Sequence, residues 1–457
     1  MKISEILKKQ RDYFSSGATK SVKNRRKILI RFRESIQKNE QAIIKALKDD
    51  FSKPVFESVA TEIGIVEKEL SLAIKNIWKW QQPRKVRSSI LNFPSSDYIH
   101  YEPYGSTLVI APWNYPFQLA MGPLIGAIAA GNTVVLKPSE LTPNTSAIIS
   151  KIISDVFNPN HVTVIQGDKE VATSLLAERW DYIFFTGSVP VGKIVYKAAA
   201  EHLTPVTLEL GGKSPCIVDK TASIKQAARR IVWGKFVNAG QTCIAPDYIL
   251  VHSSKKENLL KALDNEITRA FGKNPEESTD FARIINDKNF DRLSSMLNNA
   301  NIYTGGELTK ESRYISPTIV TDVTLEDKVM KEEIFGPILP VMTYTTKEDI
   351  SNIIHSFEKP LSAYVFSRKH SFIKWFNTSF SYGGGVMNDT LVHFINDTLP
   401  FGGVGHSGIG SYHGKESFYT FSHSKSIVKR GTWMDIPIRY APYKGKLGLL
   451  KSFFRWF

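Results

Sequence analysis

The sequence predicts an α/β protein with two parallel-sheet domains and a small β element for oligomerisation. Three observations support this prediction. A chain of 457 residues has room for two or three domains. Short β-prone apolar runs alternate with helical stretches from residue 104 to 209, and a second such series starts near residue 211. Strands that are apolar on both faces and separated by helices form right-handed βαβ units around a parallel sheet.

The N-terminal part of the chain is predicted to be helical. Apolar residues recur at helical spacing over residues 2–50 and 56–80. Charged residues of both signs lie between them from Lys20 to Asp50, so we expect solvated helix faces there. Residues 83–103 contain several prolines and short β-prone pieces, which exclude a continuous helix.

The first αβ series is of the nucleotide-binding type. Its predicted strands cover residues 107–111, 133–136, 162–165, 182–185 and 206–208, and its predicted helices cover 117–130, 143–156, 168–178 and 190–201. We assign residues 1–82 and 104–209 to a Rossmann-like cofactor-binding domain.

The second series is assigned to a catalytic domain over residues 210–410, with Gly211 and Gly212 as the hinge. Residues 83–103 and 418–430 are β-prone but belong to neither series, so we expect them to pair with another subunit in a homodimer. The predicted elements of the second series are helices at 222–237 and 255–271 and strands at 248–252, 338–344 and 362–367.

Composition excludes several classes of protein. A hydrophobic content of 42% and a charged content of 23% describe an ordinary globular chain. The two cysteines form no C-x-x-C pair, so we expect a cytoplasmic protein without disulfides or a metal site. The net charge of +15 favours anionic partners, but the lysines are scattered and no nucleic-acid-binding motif is present. No nucleic-acid partner is therefore expected.

Cys243 and Glu209 are the first candidates for chemistry. Cys243 ends the polar, glycine-led sequence Gly240-Gln-Thr-Cys243 after a predicted helix, where a thiol can be activated. Glu209 ends a predicted hydrophobic strand and is suited to act as a base. A buried structural cysteine beside an ordinary glutamate is the alternative.

Three further motifs follow predicted strands of the first series. Asn114 stands in a turn between two prolines, so its amide is a candidate donor to an oxyanion. Gly187 and Ser188 connect a strand to a helix and offer donors to a phosphate. Lys137 and Glu140 follow another strand, where they are candidates to hold ribose hydroxyls; a surface ion pair is the alternative.

Seven motifs occur in one order along the chain. They are Pro112-Trp-Asn-Tyr-Pro116, Lys137-Pro-Ser-Glu140, Phe185-Thr-Gly-Ser-x-x-x-Gly192, Leu208-Glu-Leu-Gly-Gly-Lys-Ser-Pro215, Gly240-Gln-Thr-Cys243, Glu332-Glu-x-Phe-Gly-Pro337 and Pro400-Phe-Gly-Gly403. In these motifs the chain resembles the NAD(P)-dependent aldehyde dehydrogenase superfamily over residues 1–430. The short N-terminus and the sequence Cys243-Ile-Ala-Pro-Asp-Tyr248 resemble the class 3 branch, which is similar to fatty and aromatic aldehyde dehydrogenases.

The resemblance implies oxidation of aldehydes to carboxylic acids through a covalent mechanism. Cys243 would attack the aldehyde carbon, and Asn114 and the backbone N–H of Cys243 would hold the oxyanion. Glu209 would activate the water that hydrolyses the thioester. A relative that passes the thioester to coenzyme A or phosphate needs no such base. A non-catalytic protein on the same fold would be expected to lack these residues, so their presence argues against both alternatives.

The resemblance also implies a dinucleotide site. Lys137 and Glu140 match positions that hold the adenosine ribose, and Gly187 and Ser188 match positions at the pyrophosphate. A carboxylate at Glu140 disfavours a 2′-phosphate, but Lys137 offsets this repulsion and class 3 relatives with the same motif can use both cofactors. NAD is therefore expected, with NADP as the alternative. The other matched cofactor positions are Gly192, Leu210, Glu333 and Phe335, the last two at the nicotinamide.

Three aromatic residues are candidates for the substrate site. Tyr115 adjoins Asn114, Trp233 lies in the predicted helix before Cys243, and Phe401 begins a glycine-rich loop. If they converge, they line a hydrophobic funnel for medium-chain, long-chain or aromatic aldehydes. The alternative is that they are core aromatics.

The C-terminal tail, residues 431–457, has a basic and aromatic end. This end is too short to span a bilayer but suits the interface of an anionic membrane. The class 3 resemblance offers a competing role, a C-terminal helix that covers the mouth of the substrate funnel. We expect the tail to dock on the dimer near the funnel, with membrane contact as a secondary role. Its basic residues are Arg439, Lys444, Lys446, Lys451 and Arg455, and its apolar residues are Leu447, Leu449, Leu450, Phe453, Phe454, Trp456 and Phe457.

Overall fold

The first part of the chain is helical, as its apolar periodicity predicts. The computed structural model describes residues 2–455, so Met1 and the tail residues Trp456 and Phe457 lie outside the described residues. The elements here are α1 (Ile3–Ser15), α2 (Val22–Lys38), α3 (Glu40–Phe51), α4 (Val55–Ser58), a π-helical turn (Val59–Ile63), α5 (Gly64–Trp80), β1 (Arg84–Val86) and β2 (Ser95–Pro103).

The first parallel sheet follows the predicted βαβ series closely, and its neighbouring strands β5, β4, β3, β6 and β7 run in that spatial order. Because these strands are buried on both faces, their sequences are continuous apolar runs. The elements are β3 (Ser106–Ile110), α6 (Gln118–Ala130), β4 (Thr133–Lys137), α7 (Pro143–Val156), β5 (Val162–Val164), α8 (Lys169–Leu176), β6 (Tyr182–Thr186), α9 (Val189–Ala200) and β7 (Val206–Glu209).

Between Lys20 and Asp50, where the sequence predicts solvated helix faces, two charged residues are buried. Arg25 is buried and donates to the carbonyl oxygen of Ala129. Asp50 accepts hydrogen bonds from the backbone N–H groups of Asn144 (3.0 Å) and Thr145 (2.8 Å). Asp50 therefore caps the first turn of α7, where the helix dipole also favours a carboxylate. The prediction was wrong for these two positions, because charge patterning does not show which helix ends need a partner.

The second sheet has the strand order β10–β13–β14–β9–β8–β15–β16, in which β10 alone is antiparallel to its neighbour within the described residues. A short antiparallel hairpin of β11 and β12 lies between β10 and β13 in the sequence. The strands are β8 (Pro215–Val218), β9 (Tyr248–His252), β10 (Asn301–Thr304), β11 (Leu308–Thr309), β12 (Tyr314–Ile315), β13 (Thr318–Thr321), β14 (Ile338–Tyr344), β15 (Ser362–Phe366) and β16 (Gly384–Met387). The helices are α10 (Ile224–Phe236), α11 (Lys256–Phe271), α12 (Asp287–Met296), α13 (Lys328–Lys331), α14 (Lys347–His355) and α15 (His370–Ser379).

The chain then returns to the first sheet. Strand β17 (Gly408–Ile409) pairs antiparallel with β7, so these two residues join the first sheet although they precede the predicted domain end at residue 410. Helix α16 (Lys415–Thr420) follows. It occupies the first residues of the segment 418–430, which was predicted to be a strand throughout.

The two segments predicted to pair with another subunit pair with each other in this chain. Strand β18 (Ser422–Arg430) runs antiparallel to β2 over its whole length, in the sheet order β1–β2–β18. The other edge of β18 has no strand beside it within the described residues. The last helix of the described residues is α17 (Leu447–Phe454). None of the helices within residues 2–455 has both the length and the apolar composition that a membrane span requires.

Candidate active site

The ends of the parallel strands bring several predicted site residues to one edge of the first sheet. Ile110 in β3 is paired with Lys137, the last residue of β4. Thr186, the last residue of β6, is paired with Glu209, the last residue of β7. Because parallel strands end at the same edge, the loop with Asn114 also starts there.

The loop of Cys243 is held in a conformation that requires glycine at one position. It follows α10 through a turn in which Asn238, Ala239 and Gly240 have φ angles of 55°, 51° and 74°. A Cβ atom on Gly240 would lie 2.3 Å from the carbonyl oxygen of Gly336. Only glycine fits here. This turn carries Cys243 towards the first sheet.

Cys243 and Glu209 line the same cavity, which has a volume of about 170 Å³. The structure also places Tyr115, Trp233 and Phe401 on its walls. Trp233 is 44% exposed and stands at the opening, whereas Phe401 is buried. The walls are predominantly apolar, because most of the other lining residues are aliphatic or aromatic: Ile65, Leu119, Val237, Ile244, Leu361, Leu391, Phe394 and Ile395.

The Glu209 carboxyl group is buried and lacks a hydrogen-bond partner on either oxygen within the described residues. Burial raises the pKa of this carboxyl group well above its usual value, because an apolar site disfavours the charged form. A buried carboxyl group without partners is costly unless another polar group enters the cavity beside it. The site is therefore suited to receive water or a polar substrate group.

The Cys243 thiol has a raised pKa of about 12. Burial is the main cause, and the nearby carboxyl groups of Glu333 and Glu209 act in the same direction. The thiol of the cofactor-free protein is therefore protonated at neutral pH. Its proton must leave before sulfur can act as a nucleophile.

Asn114 is tied to the loop that carries Cys243. Its side-chain Nδ2 donates to the carbonyl oxygen of Gln241 at 3.1 Å. Asn238 Nδ2 donates to the carbonyl oxygens of both Asn114 (2.9 Å) and Gln241 (3.1 Å). These bonds hold an amide donor beside the nucleophile's loop, and Asn238 and Gln241 are site residues that the sequence analysis missed.

The groups predicted to bind the adenosine ribose and pyrophosphate lie at the carboxyl edge of the first sheet. Lys137 Nζ is 2.5 Å from Glu140 Oε2, and Lys137 is buried whereas Glu140 is exposed. Ser188 precedes α9, and its side chain makes no capping bond to that helix. A Cβ atom on Gly192 would lie 2.7 Å from Leu210 Cδ2, so the first turn of α9 packs closely on the end of β7.

These features fit a dinucleotide. The N-terminus of the twelve-residue helix α9, preceded by a Ser188 hydroxyl group that does not cap it, favours binding of a phosphate. The buried Thr186 hydroxyl group next to Gly187 has no partner within the described residues and is a further free polar group at this edge.

Glu333 and Phe335 approach this edge from the second sheet. The Glu333 carboxyl group accepts a hydrogen bond from the Gly212 backbone, and its Oε2 lies 2.2 Å from the position of a Cβ atom on Gly211. Burial raises its pKa to about 8, and the charge of Asp247 adds to this shift. Phe335 has an uncommon φ of 51°, and its ring packs edge-on against that of Trp113 with 5.4 Å between centroids.

Comparisons with known proteins show the family of this chain. The family profile described as "Aldehyde dehydrogenase family" matches residues 1–427. The chain belongs to the aldehyde dehydrogenase family. It is therefore an oxidoreductase that oxidises aldehydes with NAD or NADP.

Two relatives and one solved structure are similar to this aldehyde dehydrogenase over nearly its whole length. It is 48% identical over 445 residues, or 97% of each chain, to the 4,4′-diaponeurosporen-aldehyde dehydrogenase of Staphylococcus aureus. It is 43% identical to the "Aldehyde dehydrogenase, dimeric NADP-preferring" of Rattus norvegicus, covering 97% of this chain and 99% of the relative. A solved structure described as the substrate-bound state of Staphylococcus aureus AldH has a TM-score of 0.97 and 47% identity, covering 99% of each chain.

A solved structure with lower sequence identity also shares the fold. The NAD+ complex of an aldehyde dehydrogenase from Bacillus cereus has a TM-score of 0.84 and 26% identity, covering 93% of this chain and 88% of that one.

A buried ion pair beneath the cavity was not predicted. Lys53 Nζ lies 2.7 Å from Glu62 Oε1, and both side chains are fully buried. Glu62 also accepts hydrogen bonds from the backbone N–H groups of Phe117 (3.1 Å) and Gln118 (2.8 Å). Lys53 Nζ is 3.9 Å from the ring centroid of Tyr115. Lysine and glutamate are mostly exposed, so nothing in the local sequence of this aldehyde dehydrogenase marks these two residues as buried.

Proposed function

We propose that this aldehyde dehydrogenase oxidises apolar aldehydes to carboxylic acids through an intermediate bound to Cys243. The observation that carries the proposal is the shared cavity. The Cys243 thiol and the Glu209 carboxyl group face one space that has predominantly apolar walls, and this carboxyl group has no hydrogen-bond partner within the described residues. Such a site binds the apolar part of an aldehyde and keeps both reacting groups near its carbonyl group.

In the first step the Cys243 thiol gives its proton to water, and the resulting thiolate attacks the aldehyde carbon. The carbonyl oxygen becomes an oxyanion in the resulting thiohemiacetal. Asn114 Nδ2 carries two N–H groups and the bond to Gln241 uses one of them, so the other is available to this oxygen. The backbone N–H of Cys243 is proposed as the second donor.

NAD or NADP, when bound, supplies the acceptor for the hydride that leaves the thiohemiacetal carbon. The chain's own residues orient it. We propose that Lys137 and Glu140 bind the adenosine ribose and that Gly187 and Ser188 bind the pyrophosphate at the N-terminus of α9. Glu333 and Phe335 are proposed to hold the nicotinamide ribose and ring, and Gly192 and Leu210 complete the site.

Glu209 is proposed to complete the reaction as a general base. The thioester left after hydride loss is hydrolysed by water, which must lose a proton as it attacks. The free oxygens of Glu209 accept a hydrogen bond from this water, and the entering water solvates the carboxylate. A carboxylate in an apolar site is a stronger base than an exposed one.

The substrate class is proposed from the cavity walls. Trp233 at the opening and Phe401 inside favour a substrate with a long apolar or aromatic part. The Staphylococcus aureus relative is named for 4,4′-diaponeurosporen-aldehyde, which makes that compound a reasonable candidate to assay.

The experiment that tests the proposed reaction measures NADH production with hexanal, with and without coenzyme A. Hydrolytic oxidation should give NADH and hexanoate at a rate that coenzyme A does not change. A strict need for coenzyme A, with hexanoyl-coenzyme A as product, would support acyl transfer instead and remove the role of Glu209.

The assembly is proposed to be a cytoplasmic homodimer. Strand β18 leaves one edge open within the described residues, and a relative of similar length is named dimeric. Light scattering should give about twice the mass of one chain. A mass near 51.4 kDa, that of one chain, would overturn this proposal.

The tail is proposed to dock on the dimer near the funnel, with membrane contact as a secondary role. Within its own chain, none of the described tail residues lines the cavity. Instead the tail contacts the segment between β1 and β2, where the rings of Trp433 and Phe93 pack edge-on with 6.0 Å between centroids.

Removal of residues 440–457 tests both roles of the tail. A loss of long-chain selectivity with unchanged sedimentation on anionic liposomes would support docking near the funnel. The reverse result would make membrane contact the main role.

A further inference from the structure

A second buried ion pair, Lys213 with Asp247, lies beside the segment that carries Glu333. Lys213 Nζ is 2.5 Å from Asp247 Oδ2, and the two side chains are 4% and 5% exposed. Lys213 follows the Gly211–Gly212 hinge, and Asp247 is four residues after Cys243. The pair therefore joins the segment after the proposed base to the segment after the nucleophile.

Both partners of this pair also bond to a third segment, which carries Glu333. Lys213 Nζ donates to the carbonyl oxygens of Val329 (2.7 Å) and Glu332 (3.0 Å). Asp247 Oδ1 accepts the backbone N–H of Ile334 at 3.0 Å. The bonded groups at Glu332 and Ile334 belong to the residues directly before and after Glu333, so the ion pair holds the backbone on both sides of that residue.

The side chain of Arg292 also bonds to the backbone of this segment. Arg292 Nη2 donates to the carbonyl oxygen of Ile334 at 2.7 Å, and its Nη1 donates to the carbonyl oxygen of Glu333 at 3.3 Å. The uncommon φ of Phe335 shows that this backbone needs such support, because a non-glycine residue in the left-handed region is strained.

The Lys213–Asp247 pair is poorly explained by stability alone. The free energy lost by desolvating two buried charges is about as large as the free energy gained from their attraction. Apolar residues of similar volume therefore often give a protein core equal stability. Within the described residues, every side-chain hydrogen bond that the pair makes outside itself goes to the segment from Val329 to Ile334. The geometry therefore indicates that the ion pair holds this segment in place.

We propose that Lys213 and Asp247 are positioning residues that fix Glu333 and Phe335 and so determine how firmly the nicotinamide half of NAD or NADP is held. This inference rests on the proposed function of Glu333. Lys213 and Asp247 themselves are not proposed to contact the cofactor.

The test replaces both partners together, as Lys213→Met with Asp247→Asn, so that neither member of the pair is left buried without the other. The dissociation constant of NADH, measured by fluorescence titration, should rise by about tenfold or more, because an ordered binding segment loses its support. Hydrolysis of p-nitrophenyl acetate needs Cys243 but no cofactor, and it should stay within about threefold of the parent. In the cofactor-free protein, amide exchange over residues 329–336 should become faster.

The matched control removes the other buried ion pair, as Lys53→Met with Glu62→Gln. That pair bonds the substrate-side backbone, so the NADH dissociation constant should change by less than about twofold. An equal loss of NADH affinity in this control would overturn the inference, since any buried pair would then have the same effect. A parallel loss of ester hydrolysis and thermal stability in the Lys213–Asp247 double variant would assign it a merely structural role and would also overturn the inference.

Glu333→Gln separates this inference from the proposed function. If Glu333→Gln leaves NADH affinity unchanged, the proposed role of Glu333 is wrong and the inference falls with it. If Glu333→Gln weakens NADH binding while the folded double variant does not, the positioning role alone is wrong.

Discussion

The Asn114 side chain donates a hydrogen bond to the carbonyl oxygen of Gln241, two residues before Cys243, over 3.1 Å. This bond connects the loop after β3 in the first sheet to the nucleophile's loop, which precedes β9 in the second sheet. Asn238 strengthens the connection by donating to a carbonyl oxygen on each loop. The proposed oxyanion donor and the nucleophile are therefore held in a fixed relation by both sheets, which is the kind of preorganisation that stabilises a developing oxyanion.

Asn114→Ala should lower kcat for aldehyde oxidation by about 10²- to 10³-fold, because it removes one oxyanion donor. NADH binding should stay close to that of the parent, since the change lies outside the proposed dinucleotide site. Steady-state kinetics and fluorescence titration provide the two measurements. Asn301→Ala, on the exposed strand β10, is the control. A loss of less than about tenfold in kcat would assign Asn114 only a turn-forming role.

Cys243→Ala should abolish aldehyde oxidation while NADH still binds, because the nucleophile contributes nothing to the dinucleotide site. The other cysteine provides a matched control. Cys216 lies fully buried on β8, so Cys216→Ala should keep the catalytic activity. Turnover of more than a few per cent of the parent in Cys243→Ala would exclude Cys243 as the nucleophile.

Alkylation of Cys243 by iodoacetamide in the cofactor-free protein should accelerate with pH. Its pKa is raised to about 12, so at any lower pH the thiolate is the minor form. The thiolate fraction, and with it the rate, should rise about tenfold per pH unit from about pH 7 to pH 10. Mass spectrometry of the labelled peptide follows the rate. A rate that levels off near pH 8 would contradict the raised pKa.

Glu209→Gln should show a burst of NADH followed by slow turnover. Acylation and hydride transfer need no base at position 209 and can occur once per site, but hydrolysis of the thioester stalls. Stopped-flow absorbance measures the amplitude of the burst, which should approach one NADH per active site. Glu102→Gln, on strand β2, is a control in which no burst should develop. A first turnover as slow as the steady state would show that Glu209 is not the deacylating base.

The value of kcat/KM should rise by about tenfold or more from acetaldehyde to octanal, since each buried CH₂ contributes at most about 0.8 kcal/mol. Trp233→Ala should reduce this rise, because it removes apolar surface at the cavity opening. Trp78→Ala is the matched control, since Trp78 is 49% exposed and does not line the cavity. A flat or falling series in the parent would contradict an apolar funnel.

The sequence by itself determined the α/β class and the order of elements in the first sheet. Strands such as β3 and β6 are buried on both faces, so their apolar runs are visible without any structure. The sequence also marked Cys243 and Glu209, because each lies in a distinctive short motif. These features are local, and a local pattern is recorded directly in the order of residues.

The tertiary structure alone decided which charged residues are buried and which segments pair. Asp50 reaches α7 across more than ninety residues, and Lys213 meets Asp247 across 34. Strands β2 and β18 pair with each other although over three hundred residues separate them. Such contacts depend on distances between parts of the chain that are remote in sequence. Periodicity and composition report only on the immediate surroundings of a residue, so they could not distinguish these buried charges from solvated ones.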